Sequence, residues 1–295
     1  MPHSGRPSSQ RTRRRAKPLL GTLVEISVKM AGIDMDAETS RADRAIDAAF
    51  SEIATIHHLM SFHEPQSDVA RINRAETGIP VAIDARTTEV LQAARRASIE
   101  SCSAFDCTVA AELVALGLLP FHPVATPTSH DASRWILQDD RFIKFASCLV
   151  DLGGIAKGYA VDRAIGVLQQ HDIQNALVNA GGDLRHIGTV PEIVHLRDAG
   201  DPGCLSLAIA LNNQALASSA AGGLTPDGAG MQSALIDGIS RTPIGLGASV
   251  SIIASTCMDA DLLTKVVLAS DNPHHHMMAH YGAHVAQYRG PTRNT

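Results

Sequence analysis

The sequence predicts an α+β fold, with mixed sheets, flanking helices and a helix-rich N-terminal half. Three observations carry this reading. Apolar residues recur at three- and four-residue steps through the first half, the second half holds short apolar runs bounded by glycine, and the two element types do not alternate as a doubly wound sheet requires. The chain has 295 residues, of which 45% are hydrophobic, enough for one large core.

The elements are read in chain order. Residues 1–18 carry the arginine run RTRRRAK and read as a disordered basic arm. Thr22 to Val28 alternates like a half-buried strand. A long amphipathic helix follows, with Ile46, Phe50, Ile53, Ile56 and Met60 on one face. A second helix starts from Asp84 as N-cap and carries Val90, Leu91, Ala94 and Ala97, and a third runs from Asp106 to Leu116. Pro120 to Ser133 reads as a loop.

Ile143 to Phe145 and Cys148 to Val150 are expected to form a hairpin, after which Gly153 and Gly154 turn the chain into a helix from Lys157 to Gln170. Strands are expected at Ala176 to Asn179, Glu192 to Arg197, Leu205 to Leu211, Ala234 to Asp237 and Val250 to Ala254, before a core helix from Asp259 to Ala269. These limits give a single catalytic domain over 19–270 and a His-rich tail or helix over 271–295.

Composition removes several classes of function. A formal charge of -5 offers no basic face for nucleic acid beyond the short arginine run. The five cysteines, Cys102, Cys107, Cys148, Cys204 and Cys257, are odd in number and hold no C-x-x-C pair, so they read as reduced thiols. The apolar stretch after the arginines is interrupted by Glu25 and lacks a small-residue cleavage site, which argues against a secretory signal and for a cytoplasmic protein. No stretch reaches the roughly 18 apolar residues of a transmembrane segment.

The segment DLGGIAKGYAVDRA, Asp151 to Ala164, carries the most chemistry. A strand end delivers a carboxylate, two glycines and a lysine to the start of a helix, where backbone N–H groups and Lys157 favour an anion such as phosphate. It is neither a Walker A loop nor a G-x-G-x-x-G fingerprint, and taken alone it also fits a plain strand-to-helix turn.

This segment, followed by ALVNAGGDLRHIG from Ala176, resembles the signature of the flavin transferase (ApbE) family. LLGTLVEISV at Leu19, MSFHEPQSDVARIN at Met60, AFDCTV at Ala104, LIDGISRTP at Leu235 and DADLLTK at Asp259 resemble further family motifs in the same order. The resemblance implies an ApbE-like fold and a magnesium-dependent FAD:protein FMN transferase. Such an enzyme moves FMN from FAD onto a Ser or Thr hydroxyl in the flavinylation motif of an acceptor protein and releases AMP. It also implies that His63, Ala104, Phe105, Asp106, Asp151 and Lys157 contact FAD. The Gly154 carbonyl, Asp261 and Thr264 would hold Mg2+, and Asp261 and Lys157 would serve catalysis. Family members are often periplasmic.

The sequence departs from the family pattern at several positions. Thr264 stands three residues after Asp261, where the family places threonine four residues on, and Lys265 takes that fourth position; Thr264 is the expected ligand, the alternative being a Lys265 charge near the pyrophosphate that partly replaces the ion. Ala234 replaces a histidine, Gly238 replaces a proline, and SSAAGG at Ser218 replaces a stretch with an aromatic residue. The alternative reading is therefore an FAD-binding protein without transferase activity. A docking protein with no catalysis is a third. His276 and His280 share a helical spacing in the tail, but no carboxylate or cysteine lies beside them in sequence, so a solvated tail is the expectation.

Overall fold

The computed structural model describes residues 11–30, 34–122, 134–197, 203–224 and 230–291. A hairpin of β1 (Arg11–Leu19) and β2 (Thr22–Met30) leads into the long helix α1 (Met35–Met60). Then come α2 (Asp68–Arg74), the short β3 (Val81–Ala82), α3 (Ala85–Glu100) and α4 (Ala110–Ala115). β4 (Trp135–Gln138) and β5 (Arg141–Lys144) precede α5 (Ala156–Gln170), which returns the chain to β6 (Ala176–Ala180) and β7 (Asp183–Ile187). β8 (Glu192–Arg197) pairs with β9 (Leu205–Leu211), and β10 (Ala215–Ala220) is followed by the two-residue strands β11 (Gly223–Leu224) and β12 (Met231–Gln232). β13 (Ser249–Ala254), α6 (Cys257–Ser270), α7 (His276–His280) and β14 (His284–Arg289) complete it.

One seven-stranded antiparallel sheet, in the order β1-β2-β6-β7-β10-β13-β14, forms the backbone of the molecule. Val24, Ile26 and Val28 alternate inward from β2, as the sequence period of two requires. Against this side pack α1, α5 and α6. The α1 face is the one read from spacing, with Ile46, Phe50, Ile53, Ile56 and Met60 all buried. Asp34 starts this helix by accepting from the Asp36 and Ala37 N–H groups.

Helix α6 is buried almost all round, which a helix with Leu262, Leu263, Val266 and Val267 can sustain only inside the protein. Asp162 of α5 caps it from outside, accepting from Cys257 N and Met258 N at 2.9 Å each. The two helices approach at Gly158, where a Cβ would fall 2.3 Å from the Cys257 carbonyl oxygen. Only glycine fits that crossing.

Several expectations are corrected. From Arg11 on, the basic arm is strand β1, a sheet edge whose charges are neutralised by neighbours; residues 1–10 lie outside the described part. Arg13 pairs with Asp43, Arg14 with Glu25 and Arg15 with Asp47, each at 2.7 Å. The hairpin of β5 is made with β4 instead of Cys148–Val150. The buried Asn73 side chain takes both backbone groups of Val150, so that segment needs no partner strand. Ala234 to Asp237 is not a strand; it holds one bridge, Ile236 to Pro243, and Asp237 caps a turn through Ile239 N. The tail contributes α7 and β14, and β14 pairs with β13, so the sheet runs past both limits of the expected 19–270 domain. Most of the expected 120–133 loop, from 123 on, lies outside the described residues.

Candidate functional site

A cavity of about 530 Å³ opens where the β1-β2 turn, the end of α1, the start of α5 and the loop before α4 meet. The turn is tight because Leu20 and Gly21 both take positive φ, the arrangement of a two-residue hairpin that matches sheet twist. His63, Ala104, Phe105, Asp106, Asp151, Gly154 and Lys157 all line the cavity. Sequence segments more than forty residues apart are thus brought to one wall, and the Asp151 N–H donates to the Cys107 carbonyl at 2.8 Å. Apolar lining comes from Ile56, Met60, Phe62, Leu113, Leu118 and Leu119.

The turn at Ala104–Asp106 is held by its own chemistry. Cys102 and Ser103 adopt positive φ, and the Ser101 hydroxyl accepts from Phe105 N at 3.0 Å. Asp106 does not cap a helix, which is why the third helix begins at Ala110. Its Oδ1 accepts from Thr108 N at 2.8 Å, while Oδ2 accepts from Arg134 and Arg241. Arg241 also forks onto Glu112 at 2.7 and 2.8 Å. Gly238 lets its loop press on this turn, since a Cβ there would lie 2.1 Å from the Ser103 carbonyl oxygen.

Four charges meet at the start of α5. Lys157 Nζ bonds the Asp183 carboxylate and lies 3.7 Å from Asp261 Oδ2. Lys265 Nζ bonds Asp261 Oδ1, and the Gly158 N–H donates to Asp261 Oδ2 at 3.1 Å. Burial pushes the Asp261 carboxyl up, but Lys157 and Lys265 outweigh it and hold its pKa below the usual carboxylate range. Burial likewise opposes the charge on Lys157, and Asp261 with Asp183 overcome this and raise its pKa. Asp183 goes the other way, pushed up by burial and by the nearby Asp261 charge. Asp151 is also raised, by enclosure, against the backbone N–H groups of Gly153 and Leu152 and the influence of His63.

A family model described as the ApbE family matches residues 20–286. The chain belongs to the ApbE family. An FAD:protein FMN transferase of Klebsiella pneumoniae (strain 342) is 29% identical over 151 residues, which are 47% of this chain and 48% of that protein. One from Haemophilus influenzae is 26% identical over 256 residues, 79% of this chain and 74% of that protein. The match thus spans about half the length of the Klebsiella relative and 52% of one from Vibrio cholerae. Among solved structures, the flavin transferase ApbE from Vibrio cholerae shares the fold with a TM-score of 0.70 at 24% identity, over 88% of this chain and 87% of that one. The ApbE protein from Thermotoga maritima does so with a TM-score of 0.77 at 24% identity, over 95% and 97%. The α+β fold is therefore the ApbE fold, with antiparallel sheets in place of the expected mixed ones.

Within this ApbE-family chain, Asp261 and Thr264 do not line the cavity; both are fully buried behind its wall. The Thr264 hydroxyl donates to the Asp261 carbonyl at 2.6 Å and shares a 2.7 Å bond with the Ser219 hydroxyl. Lys265 and Ser219 line the cavity in their place. With both Asp261 oxygens already engaged by cations and an N–H, the set of Gly154, Asp261 and Thr264 does not fit a divalent ion as it stands. Among the described residues, no group of three His, Cys, Asp or Glu side chains is arranged to hold a metal.

Sequence reading missed Asp183, Ser219 and Arg241 as parts of the site. Asp183 sits in the motif ALVNAGGDLRHIG, and a buried acid after two glycines was the available signal. The tail histidines are directed elsewhere, since His276 Nε2 lies 3.0 Å from the Glu100 carbonyl and His280 Nε2 3.9 Å from the Glu100 carboxylate. Among the described residues, no helix is long and apolar enough to cross a membrane.

Proposed function

We propose that the protein is an FAD:protein FMN transferase, and that the cavity receives FAD with its pyrophosphate against Lys157, Gly153 and Gly154. The observation that carries this reading is the joining of the Ala104–Asp106 turn and the Asp151–Lys157 turn in one cavity of about 530 Å³, the size class of small-molecule sites. Gly153 and Gly154 line the cavity without side chains of their own, Lys157 supplies a positive charge fixed by two carboxylates, and Phe105 supplies an apolar face beside them.

In the reaction, a Ser or Thr hydroxyl of an acceptor protein attacks the phosphorus that bears riboflavin. The new P–O bond to the acceptor forms as the bridging P–O bond of the pyrophosphate breaks. AMP leaves with the bridging oxygen, and one proton is released. Phosphoryl transfer of this kind asks for positioning and charge neutralisation more than for an enzyme nucleophile. Lys157 and the start of α5 supply both, and a magnesium ion carried on the FAD phosphates is compatible with the same arrangement. The acceptor is a protein with a Ser/Thr flavinylation motif, and its hydroxyl enters through the open mouth of the cavity.

The deciding experiment incubates the protein with FAD, magnesium and a peptide bearing such a motif, and follows AMP by chromatography and the peptide by mass spectrometry. The expected result is equimolar AMP and a peptide heavier by FMN less one water. Tight retention of FAD with neither product would establish a binder instead, the reading favoured by Ala234 in place of the family histidine.

A further inference from the structure

We propose that the ammonium group of Lys265 is the resident cation of this site, standing between Gly154 and Asp261, so that FAD binds without a divalent ion on Asp261. The inference rests on the reading of the cavity as an FAD site.

Lys265 reaches Asp261 twice, at carboxylate Oδ1 and at the backbone carbonyl at 3.1 Å. Its stem lies along Gly154, where an added Cβ would stand 3.5 Å from Lys265 Cε and 3.7 Å from Cγ. The side chain therefore packs on Gly154 and ends on Asp261, two of the three residues that the resemblance assigns to a metal. The other carboxylate oxygen is held by the Gly158 N–H and faces Lys157. The third donor, Thr264, is turned away from the cavity into its bonds with Asp261 O and Ser219. A divalent ion entering here would have to expel an ammonium whose side chain is only 14% exposed and leave it without its carboxylate.

Charge bookkeeping favours the same conclusion. Lys157 and Lys265 are balanced by Asp183 and Asp261, but the lysines line the cavity while Asp261 lies behind it. Of the two carboxylates that share the cavity wall with them, Asp106 is held by Arg134 and Arg241, and Asp151 is turned onto the Gly153 and Leu152 N–H groups. An ammonium is a compact point charge with three donors, suited to bridging a carboxylate and a phosphate oxygen. It brings one positive charge where magnesium brings two.

The test uses Mn2+ as a spectroscopic stand-in for magnesium. Chelator-stripped protein is titrated with Mn2+ by electron paramagnetic resonance, with and without FAD, and FAD affinity is measured by flavin fluorescence in EDTA and in magnesium. The parent is expected to show no Mn2+ site that Asp261→Asn removes, and an FAD affinity that changes by less than about threefold between the two buffers. Lys265→Thr, which puts a hydroxyl in place of the ammonium, is expected to gain Mn2+ binding and a magnesium dependence of FAD affinity of about tenfold. A stoichiometric Mn2+ in the parent that Asp261→Asn abolishes overturns the proposal, as does a tenfold loss of parent FAD affinity in EDTA that Asp261→Asn no longer shows. Both parent measurements decide even if Lys265→Thr fails to fold. Should FAD bind in neither buffer, the flavin reading falls, and the Mn2+ titration still settles which cation Asp261 holds.

Discussion

The backbone N–H of Gly158 donates to the carboxylate of Asp261, 103 positions further along the chain, at 3.1 Å. One glycine therefore does two things: it lets α5 and α6 touch, and it fixes the acid around which Lys157 and Lys265 gather. The ligand-facing charges are set by a helix crossing, so packing and chemistry fail together.

Gly158→Ala follows directly. The added methyl would overlap the Cys257 carbonyl, whose nearest atom stands at 2.3 Å, and backbone cannot yield as a flexible side chain can. Overpacking of this kind costs about 1–3 kcal/mol, and the upper end is expected because the clash is with main chain. Urea denaturation should show the loss. An unchanged midpoint would mean that the two helices do not meet here.

Asp261→Asn should cost about 3 kcal/mol near neutral pH, because it removes the charge that two lysines share in a buried setting. The folded pKa of Asp261 is lowered, so its contribution is fully present above the unfolded value of about 4 and is lost as pH falls through the folded one. The stability gap between parent and variant should therefore close on acidification below about pH 4. A gap that widens there would contradict the assignment.

Asp183→Asn should cost less than Asp261→Asn, although Asp183 is also buried and also bonds Lys157. Burial and the Asp261 charge push the Asp183 pKa up, which makes its ionised form the less favourable of the two acids. Paired urea titrations of the two variants at neutral pH check the order.

Lys157→Met removes a charge at the cavity wall while keeping much of the stem. A charge-assisted bond to phosphate is worth about 1.5–3 kcal/mol, so FAD affinity should fall by at least about tenfold. Flavin fluorescence titration measures it, with circular dichroism to show that the fold is retained. Equal affinity would place the pyrophosphate elsewhere.

Arg241→Ala tests the support of the Ala104–Asp106 turn. It strips the fork from Glu112 and one of the arginines from Asp106, both in largely buried surroundings, at an expected cost of about 3 kcal/mol. Thermal denaturation followed by circular dichroism reads this, and a shift within error would show that Arg134 alone sustains the turn.

What the sequence disclosed divides along physical lines. The α1 face was legible because its apolar residues repeat at helical spacing from Ile46 to Met60, over about four turns. The glycine turn before α5 was legible because two glycines and a lysine have few other uses in that order. β1 was not, since five basic residues in a short run look solvated until Asp43, Asp47 and Glu25 are seen beside them. The bonds of Asn73 to Val150, which removed an expected hairpin, join positions 77 apart and leave no local signature. Asp261 was legible from a motif, but the choice between Thr264 as ligand and Lys265 as a replacing cation was not, because which way the two point depends on the neighbours of a helix buried on nearly every side.

The last strand has a practical meaning for anyone making shorter versions of this protein. A recombinant fragment stopped at Ser270, the end of α6, would leave out β14 and bare the ladder of β13, with Val250 and Ile252 among its residues. An uncovered apolar edge of that kind invites other chains to add to it, so such a fragment is expected to aggregate, whereas one carried through Arg289 keeps β13 paired with β14.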